Sequence, residues 1–437
     1  MSSVVYSPAP ISGFPEWLPE VRLIEQQWLD EIRRTFESYG FCSVETPSVE
    51  DLRALLAKGE TDKEIYTLTR LQADENEKGD ARLGLHYDLT VPLARYVAQH
   101  YNNLVFPFKR YQIQRVWRGE RPQEGRFREF YQCDIDVINN DSVPLYFDAE
   151  MPAIVHGVLS RLGVGACTIG LSNRKILQGF YSGLGIDDIA GAIRVADKLD
   201  KIGPVGVSRQ LQDMQGISES TAKQCLALAA IRTADASFAE KVRALGITNS
   251  TLEEGLSELT YVIDNLLANG VDRLVADMSI ARGFDYYTGS VYEGRLDEYP
   301  KLGAVFSGGR YDNLAGSYIR KNLPGVGISI GLTRLFSKLV AEGRISSTRK
   351  CPTDVLVIVP NDAQQPIAAQ TAHELRERGY KVELYHAAEK LQKQLRYASR
   401  KAIPFVWFPP FEDGSPHEVK NMASGDQQQC DPQTWSA

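Results

Sequence analysis

The sequence predicts an α+β protein: a large domain whose antiparallel sheet is flanked by helices, a mainly helical insertion, and a small C-terminal α/β domain. Three observations predict this architecture. Strand patterns meet in a long-looped hairpin at 103–138, helix-forming residues dominate from about 175 to 270, and strands alternate with helices after 351. We therefore expect the large domain at 1–345, with the insertion inside it, and the C-terminal domain at 351–437.

The large domain is predicted to begin with a helix, because apolar side chains recur every four residues. These are Ile24, Trp28, Ile32 and Phe36. FCSVETP then predicts a short strand that ends at Pro47, and GLHYDLTVPLARYVAQHY predicts a strand, a turn centred on Thr90 and a helix. Helices and strands thus alternate before the hairpin.

The hairpin carries five arginines within fourteen residues. Its strands, NLVFPFKRYQIQRVW and RFREFYQCDIDVI, alternate in polarity, and its loop contains Pro122 and Gly125. Gln132, Asp134 and Asp136 fall on one face of the return strand, because side chains alternate along a strand. Three polar residues on one face of an otherwise apolar strand suggest a lined pocket.

Later segments complete the predicted order of elements. A helix is expected from about Asp148 to Leu162, and ACTIGLSNRKIL predicts a strand that runs into a helix. VDRLVADMSIARGFDYYTGSVYEG predicts a second hairpin, and GVGISIGLTRLFSKLVAEG predicts a glycine-spaced strand followed by a helix. After a polar linker at 344–353, we expect a largely parallel sheet, and beyond Asp413 a polar tail that is irregular at its end.

Composition restricts the partners and the compartment. The 437-residue chain has a formal net charge of −7, which argues against a general polycationic nucleic-acid binder, so anion recognition must be local. Its six cysteines lie far apart, without the CxxC spacing of zinc sites, and are expected to be reduced thiols. There is no signal-peptide pattern and no run of about 18 apolar residues, so we expect a cytoplasmic protein without a membrane span.

Arginines beside glycines or strand ends are the candidate anion ligands. Arg118, Arg282 and Arg334 each lie in such a setting, and the forked guanidinium matches the oxygens of a phosphate. Taken singly, each would more often form a surface ion pair. The sequence has neither a GxxxxGK[ST] loop nor a GxGxxG motif after a strand, so a bound nucleotide would lie on the antiparallel sheet.

Three stretches resemble the motifs shared by the class II aminoacyl-tRNA synthetases. They are FESYGFCSVETP, VWRGERPQEGRFREFYQ and GVGISIGLTRL. HYDLTVPLARY, ARGFDYYTGSVYEG and SGGRYDNL are similar to stretches particular to the histidyl-tRNA synthetase family, and the likeness runs from about Phe14 to at least Phe408. The resemblance implies a class II catalytic domain, a C-terminal anticodon-binding domain and a homodimer.

The resemblance also implies an activity: ATP-dependent ligation of L-histidine to tRNA(His). Histidyl-adenylate would form first, with release of pyrophosphate, and AMP would leave when histidine is transferred to the tRNA. Mg²⁺ would be bound mainly through the ATP, and no protein metal site is expected. Because adenylation needs no enzyme nucleophile, the lack of an evident Ser/His/Asp or Cys/His arrangement in the sequence fits this activity.

Catalytic and ATP-binding roles follow by resemblance. Arg118 and Arg282 are implied as catalytic groups that flank the α-phosphate, where two guanidiniums would stabilise the charge of the transition state. The residues implied to bind ATP are Arg118, Glu120, Arg126, Phe130 and Arg334. Among them, Glu120 and Phe130 would contact adenine, and Arg334 would hold the end of the phosphate chain.

Histidine-binding roles follow in the same way. The residues implied are Asp88, Leu89, Thr90, Gln132, Asp136, Tyr286 and Tyr287. Asp136 and Tyr287 would face the imidazole, whose one N–H donor and one acceptor nitrogen suit a carboxylate and a hydroxyl. Asp88, Thr90 and Gln132 would hold the head group of the amino acid.

Contacts with tRNA are implied on two elements. In the hairpin loop, the resemblance assigns Arg121 and Gln123 to the acceptor end. In KLQKQLRYASRK, the residues Lys393, Arg396 and Arg400 share one face of a predicted helix and would bind phosphates. The opposite, packed face is predicted to hold Leu391, Leu395 and Ala398. Without the resemblance, a basic helix face of this kind would more often be only solvated.

Two other kinds of protein share parts of this pattern. Non-catalytic paralogues that regulate ATP phosphoribosyltransferase lack the anticodon-binding domain and degrade the arginine motifs, whereas Arg118, Arg282 and Arg334 are present here. A synthetase for threonine would need Cys/His zinc ligands, and RGFDYYTG argues against one for proline. Histidine-dependent exchange of pyrophosphate into ATP would separate these alternatives.

Overall fold

The chain divides into two compact units. The computed structural model describes residues 7–56, 65–72, 82–281, 287–313, 315–412 and 414–437. The first unit comprises Met1–Pro15 and Leu29–Lys338, and the second comprises Glu16–Trp28 and Leu339–Ala437. The domain boundaries expected from the sequence stay a prediction. Across the described ranges, no helix combines the length and the apolar character that a membrane crossing requires.

Helices and strands are numbered in chain order. The helices are α1 (Pro19–Ser38), α2 (Leu52–Leu56), α3 (Thr90–His100), α4 (Tyr146–Leu162), α5 (Arg174–Gly183), α6 (Ile189–Ala196), α7 (Leu199–Gln212), α8 (Glu219–Ala229), α9 (Phe238–Arg243), α10 (Ser250–Ala268), α11 (Leu332–Ala341), α12 (Gln365–Glu377) and α13 (Leu391–Lys401). The strands are β1 (Cys42–Ser43), β2 (Val49–Asp51), β3 (Thr67–Leu68), β4 (Leu83–Leu85), β5 (Phe108–Trp117), β6 (Glu129–Ile138), β7 (Cys167–Asn173), β8 (Arg232–Thr233), β9 (Leu274–Asp277), β10 (Tyr287–Leu296), β11 (Ala304–Tyr311), β12 (Gly325–Gly331), β13 (Val355–Val357), β14 (Val382–Leu384), β15 (Phe405–Phe408), β16 (Glu418–Asn421) and β17 (Gln427–Gln429).

A large sheet organises the first unit. Within the described residues it has nine strands, in the order β1-β5-β6-β12-β11-β10-β7-β9-β8. The strands from β5 to β7 in that order are antiparallel, as predicted. Towards the edges, β1 is parallel to β5 and β9 is parallel to β7, so the whole sheet is mixed. A smaller sheet, β2-β4-β3, precedes α3.

The predicted hairpin at 271–294 is wrong. Its two strands, β9 and β10, lie on opposite sides of β7 and pair with it, β9 in parallel and β10 antiparallel. The hairpin partner of β10 is β11, with Val291 opposite Gly309. The alternating pattern identified both strands, but alternation looks the same whichever strand lies alongside, so it could not identify the partner.

Helices α5 to α10 fill the region that the sequence predicts to be helical, with the short strand β8 between α8 and α9. The first and last of these helices approach closely through glycines. A Cβ on Gly179 would lie 2.5 Å from the amide nitrogen of Leu252, and a Cβ on Gly255 would lie 2.7 Å from that of Ile176. Larger residues at either glycine would therefore force α5 and α10 apart.

A buried ion pair joins α4 to the sheet. Arg310, on β11, donates from Nε to the two carboxylate oxygens of Asp148 at 3.0 and 3.2 Å, and its Nη2 also donates to that carboxylate. Burial raises the pKa of Asp148 although the guanidinium opposes the rise. The arginine of SGGRYDNL thus has a structural partner, on the face of β11 opposite to Tyr311.

The second unit contains a sheet in the order β14-β13-β15-β16-β17. The predicted parallel pairing holds for β14, β13 and β15, whereas β16 and β17 are antiparallel. These last two strands were not predicted from the polar tail beyond Asp413, but its end, residues 430–437, contains no helix or strand, as expected. Val419 pairs with Trp407 and is buried beside it, which attaches a polar segment to the core through one apolar residue.

Candidate active site

Three cross-strand rows form the floor of a cavity on one face of the large sheet. Residues paired across β5, β6 and β12 point to the same side, because side chains alternate along each strand. The rows are Arg110–Asp136–Gly327, Gln112–Asp134–Ser329 and Gln114–Gln132–Gly331. The cavity above them has a volume of about 200 Å³, and its lining includes the three polar residues on this face of β6, Gln132, Asp134 and Asp136. The predicted polar face of that strand therefore does line a pocket.

Arg110 and Asp136 form a buried ion pair at one end of this floor. Arg110 Nη2 lies 2.6 Å from Asp136 Oδ2, and both side chains are almost inaccessible to solvent. The hydroxyl of Tyr311 donates to the other oxygen, Asp136 Oδ1, at 3.0 Å. Burial still raises the pKa of Asp136 to about 6, against the opposing effect of Arg110. The protein thus fixes this carboxylate in place.

Glycines in β12 leave room for these side chains. A Cβ on Gly327 would lie 2.1 Å from Asp136 Oδ1, and a Cβ on Gly325 would lie 2.4 Å from the ring of Tyr311. Both distances are far below van der Waals contact, so no larger residue fits at either position without displacement. The cavity floor therefore requires the first two glycines of GVGISIG, Gly325 and Gly327.

Asp134 lies in the middle row and is not among the substrate-binding residues predicted from the sequence. Its side chain is 2% exposed and lines the cavity. Burial raises its pKa to about 7, with Arg110 opposing the rise and Asp136 and Asp88 adding to it. The sequence did place Asp134 on the same strand face as Gln132 and Asp136, which is the signal that could have identified it.

The connection between β4 and α3 contributes Asp88 to the cavity, and the first residue of α3, Thr90, also lines it. Asp88 Oδ1 accepts a hydrogen bond from the backbone N–H of Val91 at 3.0 Å, which satisfies one of the free donors in the first turn of α3. Burial raises the pKa of Asp88, although Arg118 and Arg110 oppose the rise. The start of the helix therefore holds one carboxylate oxygen and leaves the other facing the cavity.

Arg118 follows the end of β5 and is held in a defined direction. Its Nε donates to the carbonyl oxygen of Tyr87 at 3.1 Å, and its guanidinium carbon lies 5.1 Å from the centroid of the Phe130 ring. Both contacts orient the guanidinium without neutralising its charge. Arg118 is thus available to an anion in the cavity.

Arg334, near the start of α11, reaches the far end of the same cavity. Its Nε donates to the carbonyl oxygen of Gly125 and its Nη1 to that of Ala304, each at 2.7 Å. The pKa of Arg334 is lowered by burial and by the charges of Arg126 and Arg118. Three guanidiniums therefore repel one another at this end, and a polyanion would relieve that repulsion.

Most of the predicted substrate-binding residues line this one cavity. They are Asp88, Thr90, Arg118, Glu120, Arg126, Phe130, Gln132, Asp136, Tyr287 and Arg334. Leu89 is fully buried, and its carbonyl oxygen lies 3.4 Å from Arg110 Nη2. Arg282 and Tyr286 lie outside the described residues. Sequence reasoning missed Asp134, Arg110, Tyr311 and Ser329, of which the first three are buried titratable side chains.

The predicted tRNA-binding residues lie on other elements. In the hairpin loop, the backbones of Gln123 and Arg126 pair at the tip, Arg126 also forms an ion pair of 3.0 Å with Glu120, and Arg121 is exposed. This tip is tied to Arg334 through Gly125, so it is more constrained than the glycine and proline in its sequence suggest.

Helix α13 carries the predicted basic face. Arg396 and Arg400 are exposed, and Lys393 is paired with Glu389. The buried side includes Ala398, as predicted, but Leu391 is 39% exposed. Gln394 is buried in its place, where it accepts from the N–H of Val359 at 2.9 Å and donates to the carbonyl oxygen of Val359 at 2.8 Å. The helix packs through a polar clamp that apolar periodicity could not predict.

Comparison with known proteins identifies two family models along the chain. A model described as histidyl-tRNA synthetase matches residues 13–335, and one described as an anticodon binding domain matches residues 354–432. A histidine–tRNA ligase of Thermobifida fusca is 61% identical over 432 residues, which cover 99% of each chain. Together these matches span both parts of the sequence.

Solved structures give the same grouping. The histidyl-tRNA synthetase of Nostoc sp. PCC 7120 superposes with a TM-score of 0.86 at 36% identity, covering 98% of this chain and 97% of that one. A Bacillus halodurans protein described as an ATP phosphoribosyltransferase regulatory subunit/histidyl-tRNA synthetase superposes with a TM-score of 0.75 at 21% identity, covering 91% and 97%. The second match supports the fold alone.

Proposed function

The chain belongs to the histidyl-tRNA synthetase family, and we propose that it joins L-histidine to tRNA(His) in two steps at the sheet cavity. In the first step, a carboxylate oxygen of histidine attacks the α-phosphorus of ATP, and pyrophosphate leaves. In the second, the histidyl group of the adenylate passes to the terminal adenosine of the tRNA, and AMP leaves. Both steps are displacements at existing bonds, so neither needs a redox partner.

The observation that carries this proposal is that one cavity has an acidic end and an arginine end. The acidic end comprises Asp88, Asp134 and Asp136, and the arginine end comprises Arg118, Arg126 and Arg334, with Glu120 paired to Arg126. An amino acid brings a cationic ammonium group and ATP brings a polyanionic phosphate chain, so each substrate finds the opposite charge. The carboxylate and the α-phosphorus would then meet between the two ends.

Arg118 is the proposed contact of the α-phosphate and of the histidine carboxylate. As the carboxylate attacks, negative charge grows on the phosphoryl oxygens, and a guanidinium already fixed in direction stabilises that charge without reorganisation. The contacts of Arg118 with Tyr87 and Phe130 support this role. Arg282 is proposed, by resemblance, to act from the other side of the phosphorus.

The remaining ATP contacts are proposed along the arginine end. Arg334 and Arg126 would bind the end of the phosphate chain, and Glu120 and Phe130 would contact adenine, the ring by stacking. Mg²⁺, bound mainly by the nucleotide, would add positive charge along the phosphates. Repulsion among the guanidiniums would fall when the polyanion binds, which supports this assignment.

Asp136 and Tyr287 are proposed to recognise the imidazole. The ring N–H would donate to Asp136, whose two oxygens retain lone pairs beyond those that Arg110 and Tyr311 use. Tyr287 would bond to the other ring nitrogen. An isostere that lacks either group would leave a buried polar partner unpaired, which is how such a site discriminates strongly. Asp88, Thr90 and Gln132 are proposed for the head group, together with Leu89 and Tyr286.

The catalytic function is favoured over that of a regulatory paralogue. The Thermobifida fusca relative, named a histidine–tRNA ligase, matches the full chain at 61% identity, whereas the likeness to the Bacillus halodurans protein is only 21%. The chain also has a match to the anticodon binding domain. We further propose that tRNA(His) contacts the hairpin loop and α13, that the protein is a homodimer, and that it acts in the cytoplasm.

Histidine-dependent exchange of pyrophosphate into ATP tests the proposed function. We expect exchange with L-histidine and none with proline or threonine, followed by transfer of histidine to a tRNA(His) transcript. Well-folded protein that shows no exchange would support the regulatory alternative. Exchange with proline but not with histidine would refute the assignment of the pocket.

A further inference from the structure

Three buried acceptor oxygens at the acidic end have no hydrogen-bond partner within the described part of the chain. They are Asp88 Oδ2, Gln132 Oε1 and Asp134 Oδ1. The three side chains are only 2%, 7% and 2% exposed, and all of them line the same cavity. An unpartnered buried acceptor costs about 1–3 kcal/mol. Three in one cavity therefore indicate a ligand that supplies donors.

The other polar atoms of these side chains are already used, so their orientation is fixed. Asp88 Oδ1 accepts from the N–H of Val91 at 3.0 Å, and Gln132 Nε2 donates to Ser329 Oγ at 2.6 Å. Asp134 lies in the same cross-strand row as Ser329, whose hydroxyl also bonds to its carboxylate. These hydrogen bonds hold the three side chains in fixed orientations. Their unpartnered oxygens therefore cannot rotate to accept hydrogen bonds from one another's groups.

Charge at this end is also unbalanced. The charged groups that face Asp134 are Arg110 on β5, Asp136 on β6 and Asp88 before α3, while its β12 neighbour, Ser329, is uncharged. Arg110 is already paired with Asp136. Among the described residues, Asp88 and Asp134 therefore remain as two buried carboxylates without an ion-pair partner, although Arg118 and Arg110 act on Asp88 from a distance, and a cationic ligand would relieve the cost of burying them.

We propose that Asp134 is a substrate-binding residue that binds the α-ammonium group of the amino acid, as the third acceptor beside Asp88 and Gln132. An ammonium group has three N–H donors and no acceptor, so it matches the three open oxygens in number and polarity. The inference rests on the proposed function and adds to it a residue that the family resemblance does not assign. It makes the amino group of histidine, as well as its imidazole, a required element of recognition.

Proton release accompanies binding if this arrangement holds. Burial raises the pKa of Asp134 to about 7, so the free protein carries this carboxyl partly protonated near neutral pH. An ammonium group beside it favours the ionised form and expels the proton. Histidine affinity accordingly rises as pH increases towards about 7 and then levels off.

The test is Asp134→Asn, which keeps the shape of the protonated carboxyl but cannot ionise. Isothermal titration of the full-length protein is made with L-histidine, with L-histidinol, which keeps the ammonium group, and with imidazolepropionic acid, which lacks it. We expect Asp134→Asn to weaken histidine and histidinol about 10-fold or more, and to leave imidazolepropionic acid unchanged or tighter. Titrations in buffers of different ionisation enthalpy should show more proton release in the wild type than in the variant, which keeps only the raised pKa values of Asp88 and Asp136.

Two variants separate recognition from structure. Asp134→Glu, which restores the charge, should recover part of the preference for ligands that carry an ammonium group. Asp136→Asn removes a carboxylate that Arg110 and Tyr311 hold, so it should weaken all three ligands.

An equal loss of all three ligands in Asp134→Asn, or no loss of any, would overturn the proposal. Failure of the wild type to bind histidine or to catalyse exchange would instead refute the proposed function.

Discussion

Gly327→Ala should damage the histidine end of the cavity. The new Cβ would stand 2.1 Å from Asp136 Oδ1, whereas ordinary contact begins at about 3.4 Å, so the carboxylate must move by more than 1 Å. It cannot move freely, because Arg110 holds one oxygen at 2.6 Å and Tyr311 donates to the other at 3.0 Å. The substitution therefore either overpacks β12 or breaks the ion pair between Arg110 and Asp136.

The loss of stability can be estimated for both responses, overpacking and loss of the ion pair. Overpacking a rigid core costs about 1–3 kcal/mol, and each hydrogen bond to a charged group contributes about 1.5–3 kcal/mol. We expect the free energy of unfolding to fall by about 3 kcal/mol. If Asp136 binds the imidazole as proposed, its displacement should lower kcat/KM for histidine in pyrophosphate exchange by about 100-fold, since each tenfold change corresponds to about 1.4 kcal/mol.

Urea denaturation and histidine-dependent exchange would measure these two effects. Gly331→Ala is the matched control for stability, because it adds the same methyl group on the same face of β12, where its nearest heavy atom, the carbonyl oxygen of Val305, is 3.6 Å away. The control should change the unfolding free energy by no more than about 0.5 kcal/mol. Equal stability of Gly327→Ala and the wild type would refute the reasoning.

Three further changes test other parts of the structure. Arg310→Leu leaves Asp148 buried without its cation and should lower the free energy of unfolding, measured in urea, by about 3–5 kcal/mol. Adding Asp148→Leu should recover part of this loss. If the double variant recovers none of it, the ion-pair role is contradicted. Asp134→Asn should reduce the fall in stability that the free protein shows between about pH 4 and pH 7. A carboxyl with a raised pKa favours folding while it is protonated, and this contribution is lost as the pH rises through about 7. The same dependence of melting temperature on pH in the variant and the wild type would refute this. Arg396→Ala with Arg400→Ala should weaken tRNA binding and reduce its slope against log salt by about 1–2, with pyrophosphate exchange unchanged; a parallel loss of exchange would make these residues structural.

Local signals predicted the elements of the fold better than their pairing. The hairpin of β5 and β6 was predicted because one loop joins two alternating strands, so the partner is the next strand in the chain. The partners of β9 and β10 were not, because β7 comes between them and precedes both by about a hundred residues. Strands β16 and β17 were missed because they are short and largely polar, and only Val419 marks an inward position.

The candidate site shows the same limit at the level of side chains. Alternation alone placed Gln132 and Asp136 on one face, and the structure brings both to the cavity. Arg110 could not be recognised as a buried cation, because a strand arginine is usually exposed and only the partner strand shows that an aspartate lies opposite. Tyr311 was missed for a related reason, since its hydroxyl reaches Asp136 across β12.

The role of each arginine in the cavity depends on whether its hydrogen bonds go to a carboxylate or to backbone carbonyl oxygens. Arg110 is paired with the carboxylate of Asp136, so its charge is largely cancelled and it acts as a support for an acceptor. Arg118 and Arg334 donate instead to backbone carbonyl oxygens, which fix their directions but carry no net charge to cancel theirs. Apart from the pairs Arg110–Asp136 and Arg126–Glu120, the arginines and carboxylates of the cavity thus leave Arg118 and Arg334 at one end and Asp88 and Asp134 at the other to meet a substrate. A chain that is acidic overall can in this way hold a local site for a polyanion next to a site for an ammonium group.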